Sequence, residues 1–278
     1  MANSRERGYA LLIVLWVMVL LSAIGIHVAA TGRTEANIAF NLVRNAKAQA
    51  MADAGIYRAI YASIDPQSPQ AWAADGAPHE LSLPDGTDTV WIEDENGKIN
   101  PNQAPPELLA ALLRELGLKP DSASRLATAI GIWVTPDDGT RRPGTVEADY
   151  RAADLNYLPP GEPVETVDEL SRVLGMTPEI LAAMRPYLSV FANSSVPDPS
   201  VAPPLVRRAI ADVPSLGAQG DTDQGTNSMA ARMLSITAVA RTTTGATFVR
   251  HAVVEVDGQG GTQNYLVHAW KREDLPQR

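Results

Sequence analysis

His27, His79, His251 and His268, with the aspartates and glutamates, are the residues best suited to acid–base or metal chemistry in this sequence. Their spacing does not assemble a site. No H-E-x-x-H pair brings two histidines onto one helix face around zinc. Neither G-x-S-x-G nor G-x-x-x-x-G-K-[ST] is there to expose a nucleophile or cradle a phosphate. The absence of cysteine excludes thiolate nucleophiles, cysteine-ligated zinc and disulfides. Asp221, Asp223 and Asn227 offer hard oxygens at alternating positions on a glycine-rich stretch, the donor type that calcium takes. An EF-hand is excluded, because Thr226 stands where that loop needs glycine and Arg232 where it needs a bidentate glutamate. A solvated acidic loop is the plainer reading of the same residues. No catalytic constellation emerges, and no enzymatic activity is expected.

The elements that would position any site begin with the run from Arg7 to Arg33, which carries no charge between the two arginines. Tyr9 to Ala30, about 22 predominantly apolar residues, would cross a hydrocarbon core of about 30 Å as a helix. A cleaved secretory signal would have a shorter core, with Val28-Ala29-Ala30 as its cut site. A plain signal anchor is another reading. His27 falls near the outer end of the run, where an imidazole reaches water. Residues 1–33 carry a net +2, so the remainder carries −11 of the formal −9. Arg5 and Arg7 favour a cytoplasmic N-terminus and export of the rest. An acidic exported portion disfavours contact with phosphate backbones, so no nucleic acid partner is expected.

From Thr34 to Ile64 the sequence is alanine-rich and free of proline. Ile38, Leu42 and Ala46 share a four-residue spacing, and Ala52, Ile56, Ile60 and Ile64 resume it half a turn out of phase. Such stripes predict an amphipathic helix continuous with the apolar run. Asp65-Pro66 ends it, and a loop rich in proline and glycine is expected to about Pro84. Thr87–Glu93 alternates as a strand, and Asn96-Gly97 is a turn signal. In the middle, L-x-R-x-L-G-[LM]-x-P-[DE] occurs at Leu112–Asp121 and again at Leu170–Glu179. A second echo pairs 101–106 with 199–204. Residues 101–192 therefore read as an all-helical unit with two helix-hairpin repeats, and 193–228 as a linker with a short helix near 203–212. Met233–Arg241, Thr247–Val256 and Asn264–Lys271 are expected strands, antiparallel and seated on the long helix. Glycine hairpins between helices also outline a helix–hairpin–helix DNA-binding module. Here Asp121 and Glu179 flank the hairpins beside a single Lys119, the wrong sign for phosphate.

Arg7-Gly8 standing directly before an aliphatic helix resembles the leader of type IV prepilins and type II secretion pseudopilins. The run Asp94-x-x-Gly97-Lys98-Ile99-Asn100-x-Asn102 and the stretch TVDELSRVLGMTPEILAAMRPYLSVF resemble the K-type minor pseudopilins in particular. Most pseudopilins carry glutamate as the fifth mature residue; here Ile13 stands there, a mark of the K type. The resemblance implies a leader at 1–8, cleavage between Gly8 and Tyr9 by the prepilin peptidase, and methylation of Tyr9. It implies an α+β fold. A long helix at 9–64, transmembrane over 9–30, packs on an antiparallel pilin-like sheet from 65–100 and 229–272. An all-helical domain is inserted at 101–192. It further implies a single-pass inner-membrane protein with its C-terminal domain in the periplasm. With I- and J-type minor pseudopilins it would cap the pseudopilus tip and support protein export. Because K-type members bind calcium, it also raises the standing of Asp221, Asp223 and Asn227 as ligands.

Mass spectrometry of membrane-extracted protein should find a chain beginning at N-methylated Tyr9, and Gly8→Val should leave the leader attached. A mature terminus near Thr31 would instead mark an ordinary secretory signal.

Overall fold

A computed structural model describes residues 3–64, 69–137, 139, 144–217, 232–257 and 265–273; within the first helix, side chains are described at 12–25, 27 and 35–64. That helix, α1, runs from Asn3 to Ile64 and is about 93 Å long at the usual rise. Its alanine-rich second half has few branched side chains and no proline before Pro66, which would remove a donor and bias its predecessor away from helix.

Five strands follow: β1 (Asp75–Leu83), β2 (Gly86–Asp94), β3 (Arg232–Thr242), β4 (Thr247–Val256) and β5 (Tyr265–Glu273). They form one antiparallel sheet in the order β1-β2-β3-β4-β5, so every strand lies beside its chain neighbour. β3, β4 and β5 fall where alternation predicts them. β1 does not: its stretch reads as a loop, yet it pairs with β2. As an edge strand it tolerates Pro78, which lies at a register shift after Asp75.

α1 crosses one face of this sheet. Ala48, Met51, Ala52, Ile56, Ala59 and Ile60 are buried against Val90, Ile92, Leu234, Ile236, Ala252 and Val254. Small residues on both sides bring helix and sheet close together. Polar contacts pin the edges of the seat. Arg250 Nε donates to Asp53 Oδ1 at 2.6 Å, with its guanidinium over the rings of Phe248 and Trp270. Nearer the first half, Lys47 pairs with Asp85 at 3.1 Å, and Arg44 donates to the Thr244 carbonyl.

The two apolar stripes of the helix have different fates. Ala52, Ile56 and Ile60 are buried, whereas Ile38 and Leu42 are 63% and 70% exposed. The sheet is too short to reach them. Farther along, Leu12 to Leu21 and Ile24 are also exposed and apolar. Among the described residues no helix is long and apolar enough to cross a membrane.

Between β2 and β3 stands a helical unit with its own core. It contains α2 (Pro106–Glu115), α3 (Pro120–Val134), α4 (Thr145–Ala152), α5 (Pro178–Met184), α6 (Pro204–Ala211) and α7 (Pro214–Gly217). Its buried core runs from Ile99 through Leu112, Ile130, Leu170 and Met184 to Val206 and Leu216. The stretch from 193 on is therefore more than a linker: α6 packs on α2, with Arg114 facing Asp212 at 3.6 Å, because Val206, Ala209 and Ile210 need a core to enter. The two echoed prolines, Pro106 and Pro204, open these two facing helices. The hairpin glycines Gly117 and Gly175 take φ of +94° and +84°, the left-handed conformation that closes each repeat. The second copy differs in one respect. Its first helix is a 3-10 turn, Val167–Arg172, started by a capping box between Thr166 and Glu169.

Ile56→Ala should lower stability by about 2–5 kcal/mol in denaturant unfolding, since Ile56 is fully buried in the helix seat. Ile38→Ala, on the uncovered stripe, should change it by less than about 0.5 kcal/mol.

Candidate functional site: the seam between sheet and helical unit

The segment Asp94 to Asn102 leaves β2 and enters the helical unit, and the side chains of Asp94, Asn100 and Asn102 hold other segments. Asp94 ends β2 and caps the 3-10 turn Glu95–Gly97, accepting from the Asn96 amide at 3.0 Å. Its other oxygen takes Arg232 Nε at 3.4 Å, tying the end of β2 to the start of β3. Burial raises the Asp94 carboxyl above its ordinary value; the Asn96 amide and Arg232 oppose that shift. Asn96 accepts from the Asp198 amide through its carbonyl at 2.9 Å. Gly97 is there for space: a Cβ would meet the Val201 carbonyl oxygen at 2.6 Å and Ala202 Cα at 2.9 Å.

Lys98 is nearly buried, and its ammonium reaches Glu95 Oε1 at 2.7 Å and Glu93 Oε2 at 2.9 Å. Burial pulls this group down, but the two carboxylates together outweigh it and hold Lys98 above its ordinary value. Ile99 forms a parallel bridge with Leu188: its amide donates to the Tyr187 carbonyl at 2.9 Å, and its carbonyl accepts from Ser189 at 3.0 Å. Asn100 Nδ2 donates to the Ala192 carbonyl at 2.8 Å, and Oδ1 accepts from the Asn102 amide at 2.9 Å. Asn102 behaves as an inserted peptide group. Its Nδ2 donates to the Val164 carbonyl at 2.9 Å, and its Oδ1 accepts from the Val164 amide at 2.8 Å.

One short run thus fastens residue 164, residues 187–192, residues 198–202 and the start of β3. It is a mechanical joint between the sheet and the helical unit. Sequence motif reading singles out the run but not its partners, which are mostly backbone groups far away in the chain.

The sequence-predicted residues fall elsewhere. Gly8, Tyr9 and Ile13 lie within α1, and Ile13 is exposed. Asp221, Asp223 and Asn227 lie outside the described residues. His79 stacks on Trp72 at 4.2 Å, His251 meets Thr237 Oγ1 at 3.2 Å, and His268 meets Glu255 at 2.8 Å. Among the described residues no three His, Asp or Glu side chains gather as a metal ion would require. One residue that sequence reasoning passed over is Asp88. The alternation Asp88, Val90, Ile92 places it on the inward face of β2, a signal that was available.

Asn102→Ala should destabilise the helical unit by about 1–3 kcal/mol, because the Val164 amide and carbonyl lose both partners. Hydrogen exchange should show the loss around residues 160–175, with the sheet unaffected.

Comparison with known proteins bears on this seam directly. Residues 82–193, from the end of β1 through the repeats, match the family model described as type II secretion system (T2SS), protein K. Type II secretion system protein K of Klebsiella pneumoniae is 28% identical over 217 residues, covering 70% of this chain and 65% of its own length. The chain therefore spans just under two thirds of that relative. A chain of the crystal structure of the GspK-GspI-GspJ complex from the enterotoxigenic Escherichia coli type 2 secretion system is similar in fold. That similarity has a TM-score of 0.56 at 14% identity and covers 87% of this chain and 99% of the other. Over residues 82–193, seam and repeats together, the chain is similar to protein K of the type II secretion system.

Proposed function

We propose that this chain is a minor pseudopilin of the type II secretion system, working by assembly and not by catalysis. The observation that carries the proposal is the helical unit matched by the family model and set between two neighbouring strands of a sheet that seats a long helix. In this reading α1 is the assembly element. Leu12–Leu21 lie in the inner membrane within a span over 9–30, and Ile38, Phe40, Leu42 and Val43 meet neighbouring helices above it. Their exposure supports this, since apolar side chains on every side of a helix need hydrocarbon or other helices around them. The domain after the span lies in the periplasm.

The partners are I- and J-type minor pseudopilins, and the place is the tip of the pseudopilus. A bulky helical unit obstructs a further subunit from stacking above. Ile13 is consistent with that place: a buried carboxylate at the fifth mature position would need a neighbour's terminal amine, which a tip subunit lacks above it. Cleavage after Gly8 and methylation at Tyr9 belong to the same proposal. Calcium held by Asp221, Asp223 and Asn227 rests on the hard-oxygen chemistry of those residues and on the resemblance to K-type members.

The full chain, extracted in detergent and mixed with I- and J-type minor pseudopilins, should co-purify as a three-component complex that survives physiological salt. Failure to associate, or tight retention on DNA at that salt, would overturn the reading.

A further inference from the structure

Asp88 lies on β2 with Val90 and Ile92, turned toward α1. Its side chain is 0% exposed, and neither carboxyl oxygen has a hydrogen-bond partner. The helix crosses it at Gly55, where a Cβ would stand 1.9 Å from Asp88 Oδ2 and 3.0 Å from Val90 Cγ2. The carboxyl therefore lies against bare helix backbone, and only glycine admits it.

The charged groups on the surrounding elements make other contacts, although Arg44 Nε, Arg58 Nη1 and His79 Nε2 are buried without a hydrogen-bond partner. On α1, Arg44 donates to the Thr244 carbonyl, Lys47 pairs with Asp85, Asp53 pairs with Arg250 of β4, and Arg58 lies over Tyr61 and Trp72. On β1, His79 stacks on Trp72 and Glu80 faces solvent. On β3 the register partner of Asp88 is Ala240, and Arg241 is exposed. Among the described residues no ion pair reaches Asp88.

We propose that Asp88 and Gly55 form a proton-linked latch between α1 and the sheet. The neutral acid is accommodated against the helix, and its ionisation weakens docking of the segment around Gly55. An unpaired buried carboxylate is costly, whereas the neutral acid is far less so. Burial lifts the Asp88 carboxyl from 3.8 to about 7, and the nearby Thr89 amide offsets only part of that. An undocked Asp88 keeps the lower value. The latch is thus at full strength below about pH 4, weakens as pH rises, and is lost once the docked group ionises above about pH 7. This holds whatever the partners of the chain are.

Hydrogen–deuterium exchange of the full chain in detergent, corrected for intrinsic rates, tests it at residues 48–60. Wild-type protection should fall by up to about tenfold per pH unit between pH 5 and 7 and level off above that. Asp88→Asn keeps the neutral shape and should give a flat profile. An equal slope in Asp88→Asn, or a flat wild-type profile, would overturn the proposal. If Asp88→Asn does not fold, carbon-13 NMR of the wild-type Asp88 carboxyl decides: a midpoint near 7 supports the latch, and one near 4 overturns it.

Discussion

A chain that leaves a sheet at one strand and must return to the hydrogen-bonded neighbour of that strand has to close its own excursion. β2 ends at Asp94 opposite Leu234 of β3, and everything between is held to that fixed gap. The consequence is visible in the chemistry of the exit. Asp94, Ile99, Asn100 and Asn102 hold three returning segments, mostly through backbone groups, and Gly97 leaves room for a fourth. Two asparagines do what a strand ladder would do, at points where no ladder fits. Asn102 satisfies both backbone groups of Val164, and Asn100 reaches Ala192. Buried amides of this kind are favourable because every donor and acceptor is matched, and an unmatched one would cost more than the pair gains.

α1 obeys a second constraint, set by the dimensions of the sheet. A helix seats only as much apolar surface as the sheet can cover. From Ala48 to Ile60 the alanines and Gly55 bring the backbone close, and the large side chains enter the same core as Ile236 and Val254. Toward the N-terminus the helix keeps its apolar residues but runs out of sheet. One element thus has two environments, a finished core at one end and an unsatisfied surface at the other. Assembly by helix packing is the use that suits this division.

Much of this was legible in the residues. Periodicity found α1, β3, β4 and β5, and the echoed glycine hairpins marked the helical unit. Three things were not. β1 was hidden because Pro78 and Gly76 read as loop, while an edge strand needs only one bonded side and accepts both. The first stripe on α1 looks like a buried face, because Ile38 and Leu42 have the right spacing; spacing reports amphipathicity, not the reach of the sheet. The continuation of the helical core through α6 was obscured by the prolines around it, although those same prolines start helices. For the seam, the motif was recognisable, but its partners lie 62 to 138 residues on and are mostly backbone atoms that leave no side-chain signature.

The strand order also fixes a sequence of events in synthesis. β2 and its partner β3 lie about 140 residues apart, so the pairing waits until the helical unit has left the ribosome. A unit that folds first brings its two ends to neighbouring points, and the entropy of closing so long a loop is met in stages. β3, β4 and β5 then add in the order they are made, each on the strand before it. α1, synthesised first, waits longest, since its seat is completed by β4, close to the end of the chain. Until then the face of the helix from Ala48 to Ile60 has no sheet to cover it.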